Sequence, residues 1–152
     1  MSKMYLFCFA SRNFENIVRG YEAKRWAVSK AGPSRVGKAK KYLKVGERGL
    51  LYCGPTHSFT VPFLVKSEVD IEAVVSDVWP EPWVLPFEIE PLGNPKKMLR
   101  ADSAKLLWPC LQGRLDTRGG VTAALNITGV TVFSPNQISE QDWNLILRDL
   151  AD

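Results

Sequence analysis

Hydrophobic positions in this chain fall into two kinds of pattern: short solid runs, and stripes spaced three or four residues apart. MYLFCFA at 4–10 is a solid run of strand length rich in aromatic residues, and it predicts a buried strand. At 11–21, SRNFENIVRGY switches to a helical period. Phe14, Ile17 and Val18 share one face, Ser11 offers an N-cap, and Gly20 offers a stop. RWAVS at 25–29 predicts a short strand. The breaker cluster AGPS follows, then a short helix in VGKAKKYL with Val36, Ala39, Tyr42 and Leu43 as its apolar stripe. Beyond the turn KVGERG, GLLYC at 49–53 is a second buried strand. The turn GPTHS leads into a third strand, FTVPFLVKSEV. Pro62 has no N–H to give a ladder, so it predicts an edge or a bulge there.

Prolines 80, 82, 86 and 91 divide the next segment, whose late alternation of Phe87, Ile89 and Leu92 predicts a strand over 84–92. LRADSAKLLW has a helical pattern with Leu99, Leu106 and Leu107 as its apolar positions. GRLDTRGG at 113–120 is a loop, and VTAALNITGVTVFS predicts one strand, or two around Gly129. The last stretch, SPNQISEQDWNLILRDL, ends in a helix capped by Ser139, with Ile138, Trp143, Ile146, Leu147 and Leu150 as its buried stripe. The resulting order is β-α-β-α-β-β-β-α-β-α. The hairpin-length gap between the strands at 49–54 and 59–67 argues against an all-parallel sheet. The expected class is α+β, a twisted, barrel-like mixed sheet flanked by helices, in one domain over 1–152.

Composition sharpens this picture. With 152 residues, 45% hydrophobic and 24% charged, the chain suffices for one globular core. Nothing approaches the roughly 18 apolar residues of a membrane helix, so no membrane partner is expected. The apolar start is too short and too soon charged for a signal peptide. Cys8, Cys53 and Cys110 are odd in number, widely spaced and without a CxxC, which points to reduced thiols and a cytoplasmic location. Net charge is +4, unevenly spread. Between residues 24 and 48 stand nine Lys or Arg against one acid, Glu47. A local excess of that size suits an anionic partner or, equally, a solvated helix face.

Catalytic chemistry is hard to find. His57 is the only histidine and lies in a predicted turn. No GxSxG, Walker loop or GxGxxG follows a strand, and no cofactor or metal site is expected. Glu68, Asp70 and Glu72 alternate in a way that a Mg²⁺ site could use, although a solvated strand end explains them as well. Glu88 and Glu90 read as the outer face of a sheet. The expectation is a protein that is not an enzyme. Aromatic residues are more informative. Trp143 belongs to a helix stripe and Trp108 to a core edge. Trp26, Trp79 and Trp83 instead sit at strand boundaries among Pro, basic and polar residues. Each suits a core, and each suits a platform on which a base stacks, with nearby Lys24, Arg25, Lys30, Arg35 and Lys38 to meet phosphates.

The ordered set YLFCFASRNFENIVRGY…KRWAVSK, LKVGERGLLYCG, FTVPFLVKSEV, VWPEPWVLPFEIEPL and ISEQDWNLILRDL resembles the EVE/YTH-like branch of the PUA superfamily over residues 4–150. The VWPEPW stretch is most similar to the N-terminal DNA-recognition domains of modification-dependent restriction systems. This resemblance implies a non-catalytic module that flips a methylated or hydroxymethylated base into an aromatic cage, in DNA, with a fused or associated nuclease or NTPase effector. The alternative it leaves open is a PUA-like RNA-binding protein, of methylated or unmodified RNA, without an effector role. Carried onto this chain, the resemblance makes Trp26 the first cage wall and Trp79 or Trp83 the second. It gives Ser11 and Asn13 to the polar turn that bonds the base. Ala27 and Val28 become backbone contacts, and Arg114 or Arg118 a phosphate contact.

Overall fold

The computed structural model describes residues 3–112, 125–127 and 132–152. Its strands are β1 (Met4–Ser11), β2 (Arg25–Val28), β3 (Arg48–Cys53), β4 (Ser58–Val65), β5 (Val74–Val75), β6 (Trp83–Pro91), β7 (Met98–Arg100) and β8 (Asn136–Ile138). Its helices are α1 (Phe14–Ala23), α2 (Pro33–Tyr42), α3 (Ala101–Leu107), α4 (Pro109–Gln112) and α5 (Glu140–Leu150). All eight strands join one mixed sheet in the order β2-β6-β4-β3-β1-β8, with β5 on β6 and β7 on β4. β1 and β3 are parallel and the other pairs antiparallel. The sheet is flanked by helices and is not closed, which agrees with the expected α+β class.

The solid apolar runs have a simple cause. In β1, Phe7 and Phe9 enter one core cluster while Leu6 and Cys8 enter another on the opposite face. β3 divides likewise, with Leu51 and Cys53 on one side and Leu50 and Tyr52 on the other. Both central strands are covered on both faces, so neither has a polar alternation to show. Pro62 lies at a bulge: Leu50 faces Pro62 and Leu51 faces Thr60, leaving Val61 as the extra residue at φ 46°.

Several sequence expectations are corrected. Asn13, not Ser11, caps α1, its side chain accepting from Asn16 N at 2.8 Å. Helix α1 runs through Gly20 and stops at Lys24, which takes the left-handed conformation (φ 55°). Leu106 and Leu107 are exposed on α3, where Ala101 and Ala104 are the buried positions. Of the predicted strand over 121–134, residues 121–124 and 128–131 lie outside the described residues. Beyond that segment lies β8, the antiparallel partner of β1. Other readings hold. Ser139 and Asp142 form a capping box on α5, and Trp143 and Trp108 are core residues. Cys8 and Cys53 are buried free thiols; burial, and then Cys110, push the Cys8 thiol well up. His57 is exposed in its turn, its Nδ1 3.3 Å from the Tyr52 hydroxyl. Among the described residues no helix is long and apolar enough to cross a membrane.

Candidate nucleic-acid interface

Strands β2 and β6 bring the three boundary tryptophans together. Trp26 on β2 stands opposite Phe87 of β6, and Trp83 opens β6 opposite Val75 of β5. The proline-containing turn WPEP carries Trp79 back beside Trp83. Those two indoles stack at 4.3 Å between centroids and 15° between planes. Trp26 meets both edge-on, at 5.8 Å and 83° from Trp79 and at 5.5 Å and 77° from Trp83. The structure thus joins both candidates for the second wall to the first.

The trio is closed. Relative exposures are 1% for Trp26, 3% for Trp79 and 7% for Trp83, so the rings fill the space between them and no open cavity separates Trp26 from a facing indole. Trp26 is therefore a packed residue, with α1 on one side of it. A Cβ built on Gly20 would stand 2.7 Å from Trp26 Cε3, so only glycine admits the ring this near the helix. Trp79 is tied to the same helix, its Nε1 donating to Asn16 O at 3.0 Å. Trp83 Nε1 is buried and meets no hydrogen-bond partner among the described residues. Two surface grooves, of about 550 and 290 Å³, lie elsewhere. The larger borders Tyr21, Lys24 and Glu90, the smaller Arg25, Asp70 and Asp77, and neither is lined by an indole.

The other expected site residues surround this nest in different ways. Ser11 is buried, and its hydroxyl donates to Asn13 O at 2.8 Å, so both residues of the polar turn are engaged in shaping the β1–α1 corner. Ala27 lies at a bulge. Trp26 pairs with Phe87 and Val28 with Val84, which leaves Leu85 (φ 57°) and Pro86 opposite Ala27 and interrupts the regular ladder there. Of the basic residues, Lys24 is exposed and Arg25 lies 3.6 Å from Asp77. Lys30 is exposed; its carbonyl accepts from Arg35 Nη1 at 3.2 Å, and desolvation lowers the half-buried Arg35 guanidinium. Lys38 lies half-buried on α2. Arg114 and Arg118 lie outside the described residues.

Two carboxylates considered for metal binding are engaged locally: Glu68 pairs with Lys44 at 2.9 Å, and Asp70 Oδ1 accepts from the Glu72 and Ala73 amides. Hydrogen bonding to Lys44, then its charge, lowers the Glu68 carboxyl. Among the described residues no cluster of His, Cys, Asp and Glu could hold a metal. Sequence reasoning missed Asn16 and Gly20, which hold Trp79 and Trp26 against α1. A glycine inside a helical pattern, read as a stop, was the available sign of close packing.

No family model matches the sequence, and no curated protein does. Solved structures do match the fold. The YTH domain of Zygosaccharomyces rouxii MRB1, in complex with N6-methyladenosine RNA, has a TM-score of 0.60 at 16% identity, covering 95% of this chain and 85% of that one. The Pho92 YTH domain in complex with m6A gives 0.59 at 14%, covering 95% and 82%. The Mmi1 YTH domain in complex with RNA gives 0.59 at 12%, covering 97% and 78%. The fold is YTH-like. The YTH half of the expected resemblance stands at the level of architecture; the restriction-system half finds no support among these neighbours.

Proposed function

We propose that this chain is a non-catalytic RNA-binding module that reads one modified base, with N6-methyladenosine the first candidate, and that its three packed indoles part to admit the base. The observation that carries the reading is the packing of Trp26, Trp79 and Trp83 into one cluster on a YTH-like fold, with Trp26 inside the basic segment 24–48. The YTH-like neighbours bound to modified RNA favour RNA over the DNA first expected. Energetics agree. Bases in RNA loops are already unstacked, whereas a base in duplex must be flipped at a cost of a few kcal/mol. Stacking on one indole returns about 1–3 kcal/mol, and a buried methyl adds about 0.8 kcal/mol more.

The test is a fluorescence-anisotropy titration of two single-stranded RNA oligonucleotides that differ only by one N6-methyl group. Preference for the methylated strand, lost in Trp26→Ala and Trp79→Ala, is the expected result. Equal affinity for both strands in the wild type removes the claim of modification reading. Unchanged binding by both variants removes the site.

A further inference from the structure

Arg25, Lys44, Lys66 and Arg148 each face a carboxylate. Arg25 lies 3.6 Å from Asp77, Lys44 2.9 Å from Glu68, Lys66 3.8 Å from Glu90 and Arg148 2.9 Å from Asp149. Arg19, exposed on α1, is held differently: its Nη1 donates to Asn16 Oδ1 at 3.0 Å. Glu15 and Glu22 stand at helix-pair spacing before and after it, yet among the described residues Arg19 forms an ion pair with neither. A guanidinium has five N–H donors, and the bond to Asn16 uses one of them. Arg19 thus presents a charge that no carboxylate neutralises, on a side chain whose orientation a neutral amide has fixed.

The place of this charge gives it meaning. Asn16 is also the residue whose backbone carbonyl accepts from Trp79 Nε1 at 3.0 Å. One asparagine therefore ties the indole stack through its main chain and Arg19 through its side chain. The two oxygens of a single asparagine are at most about 5–6 Å apart, so Arg19 Nη1 lies within about 12 Å of Trp79 Nε1. A base received among the indoles leaves its ribose and flanking phosphates outside, on the surface where Arg19 stands. We propose that Arg19 binds a phosphate next to the modified base. The inference rests on the base-binding reading above and adds to it a backbone contact from α1, outside the basic segment 24–48. A planar guanidinium meets two phosphate oxygens through parallel bonds, and one already oriented loses less freedom in doing so. Such a contact fixes the position of the strand and carries no information about the base, which is left to the indoles.

The experiment titrates two single-stranded RNA oligonucleotides, with and without one N6-methyl group, at a series of salt concentrations. The proteins are wild type, Arg19→Ala, Arg19→Lys and, as a control of equal charge loss, Lys96→Ala, at an exposed lysine between β6 and β7. Alanine is a strong helix former, so Arg19→Ala should fold; circular dichroism checks this, and Arg19→Gln replaces it should it not. Arg19→Ala should bind both strands about tenfold more weakly at low salt and keep the wild-type preference between them. Its slope of log affinity against log salt should be shallower by about 0.7, the share of one phosphate on a single strand. Arg19→Lys should keep the slope and recover only part of the affinity, because an ammonium cannot form the paired bonds. Lys96→Ala should match the wild type. If the wild type prefers the methylated strand and Arg19→Ala keeps both slope and affinity, or Lys96→Ala lowers them as much, the Arg19 assignment is overturned. If instead the wild type holds both strands equally while Arg19→Ala still flattens the slope, it is the base-binding reading that has failed.

Discussion

Replacing Gly20 with alanine tests whether the nest is truly built against α1. In an open helix position Gly→Ala stabilises by about 1 kcal/mol. At Gly20 the new methyl would lie 2.7 and 2.8 Å from Trp26 Cε3 and Cζ3, and 2.9 Å from Arg25 O. Ordinary carbon contacts begin near 3.5 Å, so the ring would have to retreat by roughly 0.8 Å. It has little room to do so, since Trp79 and Trp83 lie against it, and Arg25 O belongs to the backbone entering β2. Overpacking of this kind costs about 1–3 kcal/mol. With a backbone atom among the obstacles the upper half of that range applies, leaving a net loss of about 1–2 kcal/mol after the helix gain. Urea denaturation followed by circular dichroism measures it. Gly37→Ala on α2 is the matched control: a Cβ there meets nothing within 4 Å, so that variant should gain up to about 1 kcal/mol. If Gly20→Ala is stabilised as much as Gly37→Ala, the ring does not pack on the helix as described.

Two further outcomes are expected. Asn136 donates to Leu6 O at 3.0 Å and Leu125 O at 2.7 Å and accepts from Asn126, all in a buried position, so Asn136→Ala should cost about 2–4 kcal/mol in chemical denaturation. Burial raises the Asp149 carboxyl, but hydrogen bonds from Arg148 and Trp108, with the charges of Arg148 and Lys97, outweigh it and hold the group below its ordinary value. A carboxyl lowered on folding adds stability above its unfolded value, near 3.9, and that stability is lost as pH falls through the folded value. Asp149→Asn should therefore lower stability at neutral pH and flatten its decline below about pH 4, as read from thermal melts across pH.

What the sequence revealed depended on element length. β1, β3, β4 and β6 were legible because six to nine consecutive residues carry their pattern, and Pro62 announced its own bulge. β5, β7 and β8 have two or three residues each, too few for any period, and exist only because a neighbouring strand offers a free edge. Leu106 and Leu107 misled because apolar character was read as burial, whereas α3 packs through its small residues. The three indoles were marked by position, at strand ends beside prolines and charges. Their mutual burial was not legible, because it depends on β2 pairing with β6 some sixty residues away in the chain. The choice between Trp79 and Trp83 turned out to be between two rings of a single stack.

The central strand β1 also has a consequence for how the chain acquires its structure. One of its edges is filled by β3, but the other waits for β8, and Asn136 meets Leu6 from 130 positions further along the chain. During synthesis, MYLFCFAS must stay out of trouble, apolar on both faces and open along one edge, until almost the whole domain has emerged. The first strand made is thus the last to be bonded on both sides. Slow elongation or an early arrest would leave that open edge available to another chain, and aggregation of truncated products should start there.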